Sequence, residues 1–339
     1  MVSPDKTNCP DEKIGRRVNY EYLNWQAAWI GAKAKRQVTE AGFSGRIIAV
    51  LTDAAYLSGR DEDILWLVQQ EMPRHGRGIS CPFPLSSLLV GDCVRLEGNS
   101  LKISAGLVID PGQAVEWKPL APKSSEIQPL IGVRHFVRQL LETIPPFITD
   151  DGSGRAIVRI SSLLNAPKVT PFSPEDWRQR MFAPIFDLMN DCLQTGPGGI
   201  GKKGRDLIGL GPGLTPSGDD FIGGLLFAIH WLREVYPEIH PVEPRSILTL
   251  VQWARNRTHP ISHAILADLA IGEGPEPLHE LLQLLLKGGD PDGQTAAAIN
   301  GLSRVGHSTG WFILAGLLTG LLSVAENPNG SYPRLSQEG

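Results

Sequence analysis

The sequence predicts an α+β protein in which a β-rich first third precedes an α-helical remainder. Short strand-like runs separated by turn residues fill positions 46–120. From about residue 130 onward, apolar residues recur instead at helical spacing. A polar segment at 118–129 contains three prolines and separates the two patterns as a linker. We therefore predict a lead-in with a helix at 1–45, a β-rich sheet or small barrel at 46–120 and a mostly α-helical domain at 130–325.

Length and composition limit the class of protein. The chain has 339 residues, enough for two domains and for a large core that needs no disulfide or metal. Apolar residues make up 42% and charged residues 20%, as in globular proteins. The formal net charge of −4 argues against a dedicated nucleic-acid-binding protein. The four cysteines lack metal-ligand spacing, so we expect no zinc or iron–sulfur site, and we assign no cofactor.

The ends of the chain and its apolar stretches predict a cytoplasmic protein. The N-terminus is polar and charged and has no hydrophobic signal segment. The apolar stretches at 221–232 and 311–324 are shorter than a membrane span and are broken by glycine or polar residues. We therefore expect buried core helices there and no membrane partner.

The elements of the first third follow from periodicity and turn residues. We expect residues 19–41 to form one helix that ends at Gly42. Prolines at 82 and 84 mark a break with a helical turn over Leu85–Leu89. The regular spacing of short runs favours an antiparallel sheet or small barrel. The strand-like runs are 46–52, 54–58, 63–69, 76–81, 92–98, 101–109 and 114–120. Nothing in these runs distinguishes Asp53, Tyr56 and His75 from surface residues.

The remainder predicts a series of helices. Pro174 suits the first position of a helix over 174–195, with Ser173 as its cap. Residues 150–155 (DDGSGR) predict a loop, and residues 156–164 (AIVRISSLL) leave strand and helix open. The segment 196–206 carries Lys202, Lys203 and Arg205, and its glycines predict a mobile basic loop. The other predicted helices are 131–143, 217–235, 245–256, 261–271, 277–287, 293–303 and 309–325.

Two segments of the helical part repeat without gaps. Residues 217–226 (SGDDFIGGLL) and 309–318 (TGWFILAGLL) share the pattern [ST]-G-x-x-[FI]-[IL]-[AG]-G-L-L. Ser217 and Thr309 begin the two copies and suit helix N-capping. The small residues predict that the two helices pack closely together. Their N-termini would then lie on one side of the domain, where exposed N–H groups and positive dipole ends suit an anion.

The segment 206–220 (DLIGLGPGLTPSGDD) is the most unusual part of the sequence. Gly211 and Gly213 let the backbone approach a ligand, although the segment matches neither a P-loop nor a dinucleotide fingerprint. Asp219 and Asp220 lie in a first helical turn, where the dipole favours carboxylates. Because two carboxylates repel a bare phosphate, the residues leave several alternatives open. These are a phosphate site, a site for an amide, carbamoyl or ammonium group, an aspartate general base and a Mg²⁺ site.

Two further segments carry candidate ligand-binding side chains. Arg257 lies between two predicted helices and can clamp a carboxylate or phosphate, or simply face solvent at a helix end. His307 precedes the second repeat helix and is a candidate general acid or base, or a structural histidine. The hydroxyl side chains that we add as candidate ligand-binding groups are Thr215, Ser217, Thr258, Ser262, Ser308 and Thr309.

The string GLGPGLTPSGDDFIGG at 209–224 resembles the signature of a bacterial family that includes the AllH-like subunit of oxamate carbamoyltransferase. The segments 257–262 and 306–310 resemble the same family in order and spacing, and the resemblance extends from about residue 45 onward. The last block departs from the family pattern. It carries Trp311 and Phe312 where a small and an acidic residue are expected.

The resemblance implies carbamoyl transfer between oxalurate plus phosphate and oxamate plus carbamoyl phosphate. This reaction belongs to anaerobic allantoin breakdown and implies other protein subunits as partners. The motif positions then suggest that an aspartate, Asp219 or Asp220, binds the amide, and that Arg257 clamps a carboxylate. The phosphate or oxyanion would be held by Gly211, Gly213, Ser217 and Gly218. The alternatives are a non-catalytic scaffold or ligand-binding subunit and a Mg²⁺-dependent phosphate-ester enzyme.

Overall fold

A curled ten-stranded sheet precedes a helical region, which confirms the predicted α+β class. The computed structural model describes residues 23–40, 43–59, 63–104, 106–144, 154–165, 177–289 and 293–324. Most of the predicted lead-in and the predicted cap Ser173 lie outside the described residues. None of the described helices combines the length and apolarity needed to cross a membrane.

The strands reproduce all seven predicted runs and add two short ones ahead of them. They are β1 (Leu23–Gln26), β2 (Trp29–Gly31), β3 (Ser44–Val50), β4 (Ala54–Ser58), β5 (Ile64–Gln69), β6 (Gly78–Cys81), β7 (Cys93–Glu97), β8 (Ser100–Ile103), β9 (Leu107–Asp110) and β10 (Val115–Trp117). The predicted run 101–109 is divided between β8 and β9. The helical turn expected near Leu85 is present as a 3₁₀ turn over Leu85–Ser87.

The sheet is mixed rather than antiparallel, which corrects one of the two predicted forms. Its strand order is β1-β9-β8-β7-β3-β4-β5-β6-β2-β10. Three neighbouring pairs are parallel: β1 with β9, β2 with β10, and β5 with β6. Since β1 and β2 are joined by only two residues, the two ends of this order come together. The sheet is therefore curled on itself as a half-barrel.

The prediction of one helix over 19–41 is wrong for its first part. Residues 23–31 form β1 and β2, and only α1 (Ala32–Glu40) is helical. The reason is tertiary pairing, because 23–31 runs beside residues 107–117, more than 80 positions away. Such pairing overrides local propensity. Helix α1 then buries Ala34 and Val38, one turn apart, against the sheet interior.

The helical region follows the predicted boundaries closely. Its helices are α2 (Leu130–Thr143), α3 (Arg155–Asn165), α4 (Trp177–Thr195), α5 (Ile200–Lys203), α6 (Ser217–Val235), α7 (Pro244–Ala254), α8 (Pro260–Ala270), α9 (Glu276–Lys287), α10 (Gln294–Ser303) and α11 (Thr309–Ser323). The segment that left strand and helix open is helical. The predicted basic loop at 196–206 instead contains α5 between two 3₁₀ turns, and Lys203 pairs there with Asp191.

Two buried clusters form the core. One fills the interior of the curled sheet with residues such as Ile47 and Leu57. The larger one lies among the helices and also takes in Ile64 from the sheet. Tyr56 and Trp66 pack against this larger cluster from the sheet's other face. The outer face of the sheet, which carries Tyr56 and Trp66, therefore rests against the helical region.

Candidate functional site

Helices α6 and α11, which carry the repeat, pack in parallel at backbone contact. A Cβ added to Gly224 would lie 2.0 Å from the carbonyl oxygen of Ile313, and one added to Gly316 would lie 2.1 Å from that of Phe221. Further along both helices, Gly320 faces Ala228. This confirms the close packing that the small residues predict. Because the contacts advance in the same direction along both helices, the N-termini of α6 and α11 lie at the same end of the pair.

The second residue of each repeat has the same structural role. A Cβ on Gly218 would lie 2.1 Å from the carbonyl oxygen of Leu207, and one on Gly310 would lie 1.9 Å from that of Leu302. The Gly218 N–H donates to the carbonyl of Leu210 at 2.8 Å. In both copies, the segment that precedes the helix therefore packs directly against the helix N-terminus. This segment is the loop at Leu207 for α6 and the last turn of α10 for α11.

The capping roles expected of the two hydroxyl residues are wrong. Ser217 and Thr309 are the first helical residues, and the capping positions belong to Pro216 and Ser308, neither of which makes a side-chain cap bond. Thr309 instead shares a hydrogen bond of 2.8 Å with the hydroxyl of Thr215. Residues 207–216, which precede α6, are called the glycine-rich loop. This bond joins the glycine-rich loop to the first turn of α11.

The glycine-rich loop is closed at its base and open at its tip. Gly209 has φ 80°, and an added Cβ would lie 2.6 Å from the carbonyl oxygen of Arg257. Gly211 has φ 125° and would place a Cβ 2.7 Å from the backbone nitrogen of Ser217. Gly213 has φ 89° with nothing within 4 Å of its Cβ position. The predicted ligand cradle thus has room at Gly213, while Gly211 folds the loop back onto the helix.

Asp219 is held by three hydrogen bonds that tie three segments together. Its Oδ1 accepts the Gly209 N–H at 2.7 Å, and its Oδ2 accepts the Ser262 hydroxyl at 2.6 Å and the Thr258 hydroxyl. Burial raises the pKa of Asp219, and the three hydrogen bonds oppose that rise. Thr258 and Ser262, predicted as ligand-binding residues, are therefore placed on this carboxyl group, as is the base of the glycine-rich loop.

Asp220 lies in a different environment one residue later. It is 1% exposed, and its Oδ2 is buried with no hydrogen-bond partner among the described residues. Burial raises its pKa well above the usual value and the Asp219 charge adds to this, against a lowering by the Thr309 hydrogen bond. Burial and the nearby Asp220 charge raise the pKa of Tyr56 to about 12. Burial therefore favours the protonated form of the Asp220 carboxyl group, which can donate as well as accept a hydrogen bond.

The predicted cationic and imidazole side chains lie at the edge of this arrangement. Arg257 is exposed, and its guanidinium stacks 4.9 Å from the ring centre of Trp253. Arg205 lies 5.9 Å from the same ring. His307 is exposed in the turn before α11. The structure brings Asp220, Thr215 and Thr309 together through hydrogen bonds, whereas the donors to Asp219 named above are Gly209, Thr258 and Ser262 and not these basic side chains.

The comparison with known families selects the same segments. Residues 207–321 match the family described as oxamate carbamoyltransferase subunit AllH. The match covers the glycine-rich loop, both repeat helices and the segment around Arg257. It confirms the resemblance over this range, which we call the AllH region. No solved structure matches the chain.

A buried ion-pair cluster joins the AllH region to the sheet and was not predicted. Arg77 donates from Nε to Oδ2 of Asp268 at 2.5 Å and from Nη2 to Oδ1 at 2.8 Å. Lys33 donates to the same Asp268 at 2.5 Å and to Glu273 at 3.0 Å. His75, which the sequence did not distinguish from surface, is buried beside this cluster. The partners lie about 190 positions or more apart, and no local pattern marks such a pairing.

The described residues were also searched for metal-ligand geometry. They contain no group of three or more His, Cys, Asp or Glu side chains that could hold a metal ion. Within the AllH region, Asp219 uses both carboxyl oxygens for the hydrogen bonds given above. The paired N-termini present backbone N–H groups, the hydroxyls of Thr215 and Thr309, and the buried carboxyl group of Asp220, whose pKa is raised by burial.

Proposed function

We propose that the chain is a subunit of a cytoplasmic carbamoyltransferase that converts oxalurate and phosphate to oxamate and carbamoyl phosphate. The observation that carries the proposal is the buried, unpartnered Oδ2 of Asp220 at the paired N-termini of α6 and α11. A buried polar atom without a partner is costly unless a ligand or function accounts for it. The match of residues 207–321 to AllH supports carbamoyl chemistry as that function.

The electrostatics at this end of the helices support an anionic substrate. Two parallel helices present their positive dipole ends side by side, next to a loop whose backbone can approach a ligand. In the sequence alone, the two adjacent carboxylates of Asp219 and Asp220 argue against an anionic substrate, because they would repel it. The raised pKa of Asp220 reduces that conflict, because a neutral acid does not repel phosphate. The charge of Asp219 is compensated by three donors.

The proposed reaction needs positioning and charge stabilisation. A phosphate oxygen attacks the carbamoyl carbon of oxalurate, the bond from that carbon to the oxamate nitrogen breaks, and the nitrogen takes the proton that phosphate gives up. Asp220 would hold the carbamoyl group by hydrogen bonds. Backbone N–H groups near Gly211 and Gly213 would stabilise the oxyanion that develops on the attacked carbonyl. Holding the two substrates in line would supply much of the rate.

Arg257 remains our candidate for the substrate carboxylate. Its guanidinium carbon lies 4.9 Å from the ring centre of Trp253, and its side chain is exposed. A guanidinium in this position could form a bidentate pair with a carboxylate. Its backbone carbonyl touches Gly209, so the side chain starts from the base of the glycine-rich loop. We expect Arg257→Ala to weaken binding of the carboxylate substrate by more than about tenfold.

The test uses the complex in which the subunit works. The tagged chain is purified from its native host with its co-eluting proteins, and carbamoyl phosphate formation is measured with oxalurate and phosphate, with and without EDTA. Asp220→Asn is nearly isosteric, so it should assemble normally and lose most turnover. Full turnover of an assembled Asp220→Asn complex would overturn the proposed role. Activity that depends on Mg²⁺ would instead favour the phosphate-ester alternative.

A non-catalytic scaffold subunit is the second candidate function. It is favoured by the number of motif residues that serve packing, since Gly218, Gly224 and Asp219 all contact protein groups. Asp219→Asn would place an amide N–H₂ against donor groups, so we expect it to weaken folding or assembly. If Asp220→Asn also acts only through assembly, the scaffold function is supported.

A further inference from the structure

Tyr56 extends from the sheet toward the helices. It lies on β4 between Ala55 and Leu57, which are 0% exposed and belong to the cluster inside the curled sheet. Because successive residues of a strand point to opposite faces, the side chain of Tyr56 lies on the outer face. There it is half-buried and packs against the cluster among the helices. Tyr56 is therefore part of the surface at which the sheet meets the helical region.

The neighbours of Tyr56 in the sheet hold its ring in place. Tyr56 is paired in register with Trp66 on β5, and the two ring centres lie 5.8 Å apart in an edge-to-face arrangement. Trp66 in turn stacks on His75, with ring centres 4.1 Å apart. Aromatic contacts of this kind have a preferred geometry, so they fix the direction in which the Tyr56 hydroxyl points.

The Tyr56 hydroxyl differs from that of Tyr236, which packs at the C-terminal end of α6. The Tyr236 hydroxyl donates to the carbonyl of Gln128 at 2.6 Å. The Tyr56 hydroxyl has no hydrogen-bond partner among the described residues. Because a tyrosine at a packed surface usually bonds its hydroxyl, this group has a hydrogen bond left to give to a ligand.

The contact between sheet and helices brings Tyr56 to the start of α6. Arg77 pairs with Asp268 of α8, and six residues earlier on the same helix Ser262 donates to Asp219. Six residues correspond to about 9 Å along a helix axis. The carbonyl of Arg77 bonds to β5, so Tyr56 on β4 lies one strand further, at two strand spacings or about 10 Å. One ion pair therefore positions both Tyr56 and the first turn of α6.

Asp220 is the group in that first turn that lies near the Tyr56 hydroxyl. Burial raises the pKa of Tyr56 to about 12, and the Asp220 charge adds to the rise, an effect that acts only over a short distance. At neutral pH the hydroxyl therefore keeps its proton and can donate it. Asp220 is 1% exposed, and its Oδ2 has no partner among the described residues. The sheet and α6 thus bring two polar groups together, each with hydrogen-bonding capacity to spare.

We propose that Tyr56 completes the site at the paired N-termini of α6 and α11, and that its hydroxyl donates a hydrogen bond to the substrate that Asp220 holds. This inference rests on the proposed function. It adds a residue from outside the AllH region, so the site lies between the sheet and the two helices. Because the ring is already held by Trp66, little conformational entropy is lost when the hydroxyl binds a substrate.

The test compares Tyr56→Phe with Tyr236→Phe in the complex purified from the native host. Tyr56→Phe keeps the ring and its contact with Trp66. We expect its kcat/KM for carbamoyl phosphate formation to fall by about tenfold, the effect of one lost hydrogen bond, with an unchanged urea midpoint. Tyr236→Phe loses the bond to Gln128 and should show the reverse, a lower urea midpoint and an unchanged kcat/KM. An unchanged kcat/KM in an active Tyr56→Phe complex would overturn the inference.

A second measurement uses no substrate and therefore separates this inference from the proposed function. If the unsubstituted complex forms no carbamoyl phosphate, the proposed function fails, while urea unfolding of the full chain still tests whether Tyr56 and Asp220 share one site. We expect the shift in midpoint of the double variant Tyr56→Phe/Asp220→Asn to differ from the sum of the single shifts. Tyr236→Phe and Asp220→Asn lie at opposite ends of α6 and should be additive. Additive shifts in both pairs would remove Tyr56 from the site.

Discussion

Asp219 and Asp220 are adjacent in the first turn of α6, yet only Asp219 has both of its carboxyl oxygens bonded to protein groups. Asp219 accepts from Gly209, Thr258 and Ser262, whereas Oδ2 of Asp220 has no partner among the described residues. One carboxyl group therefore holds the loop and α8 in place, and the other is available to a ligand. Under the proposed function, Asp219 has a structural role and Asp220 has a chemical one.

The first prediction concerns the pH dependence that Asp220 gives to stability. Its folded pKa lies well above the unfolded value near 3.8, so the folded state binds more protons above that pH. Stability is then fully present below about pH 3.8 and falls as pH rises toward the folded pKa, by about 1.4 kcal/mol per unit. Asp220→Asn cannot ionise. We expect its free energy of unfolding to gain on that of the unsubstituted protein between about pH 4 and pH 7.

Urea unfolding of both proteins at several pH values measures this difference. Glu238→Gln, an exposed carboxyl near the end of α6, serves as the control and should run parallel to the unsubstituted protein. If Asp220→Asn also runs parallel, Asp220 ionises alike in the folded and unfolded states and is not a neutral acid at neutral pH.

The second prediction concerns the contact between the repeat helices. Gly316→Ala places a methyl group about 2 Å from the carbonyl of Phe221, so α6 and α11 must separate. We expect a loss of about 3 kcal/mol or more in the free energy of unfolding. Gly199→Ala is the matched control, because Gly199 has φ −77° and nothing within 4 Å of its Cβ position. It should change stability by less than about 1 kcal/mol. Equal losses in the two variants would contradict the proposed contact.

Local pattern was sufficient to predict the helices and the helix pairing. The periodicity of 217–235 and 309–325 and the shared small residues are properties of short windows, and both helices form and pack as expected. The strands from 44 onward follow from alternation for the same reason. Residues 23–31 were mispredicted because their state depends on pairing with 107–117, which no window of a few residues contains.

The candidate site could be located from the sequence but not resolved in detail. The motif marked both aspartates as equivalent, because the donors to Asp219 come from the loop at Gly209 and from residues 258–262, about 40 positions away. The docking of the sheet against the helical region could not be predicted from the sequence for a similar reason. Arg77 and Asp268 are 191 positions apart, and each alone resembles an ordinary surface charge.

The third prediction tests that docking contact. Asp268 is 1% exposed and accepts from Arg77 and Lys33, so Asp268→Asn leaves two cations without their buried counter-charge. We expect a loss of about 3–5 kcal/mol in the free energy of unfolding. Glu273→Gln removes the other partner of Lys33. Because the Glu273 side chain is 34% exposed, this substitution should lower the free energy of unfolding by less than about 1 kcal/mol. Comparable losses in urea unfolding would show that Asp268 contributes no more than a surface pair.

The fourth prediction concerns acid sensitivity at the same contact. His75 stacks on Trp66 with ring centres 4.1 Å apart, and its Nδ1 accepts a hydrogen bond from the backbone N–H of Arg77 at 3.1 Å. Burial lowers the pKa of His75 to about 3, outweighing the attraction of Asp268. As pH falls, His75 is therefore protonated near pH 6.5 in the unfolded chain but only near pH 3 in the folded protein. Stability should fall by about 1.4 kcal/mol per pH unit for this group as pH drops through that window.

His75→Asn keeps an acceptor for the Arg77 N–H and removes the titrating ring. It should cost stability at pH 7 through the lost stacking, yet its free energy of unfolding should fall less steeply between about pH 6 and pH 4. His240→Asn, at an exposed loop position, is the control for the loss of a histidine. Above about pH 4, Asp268 remains ionised, since its pKa is lowered in the folded state despite burial, through the hydrogen bonds and charge of Arg77. A slope unchanged by His75→Asn would mean that another group carries the acid sensitivity of this contact.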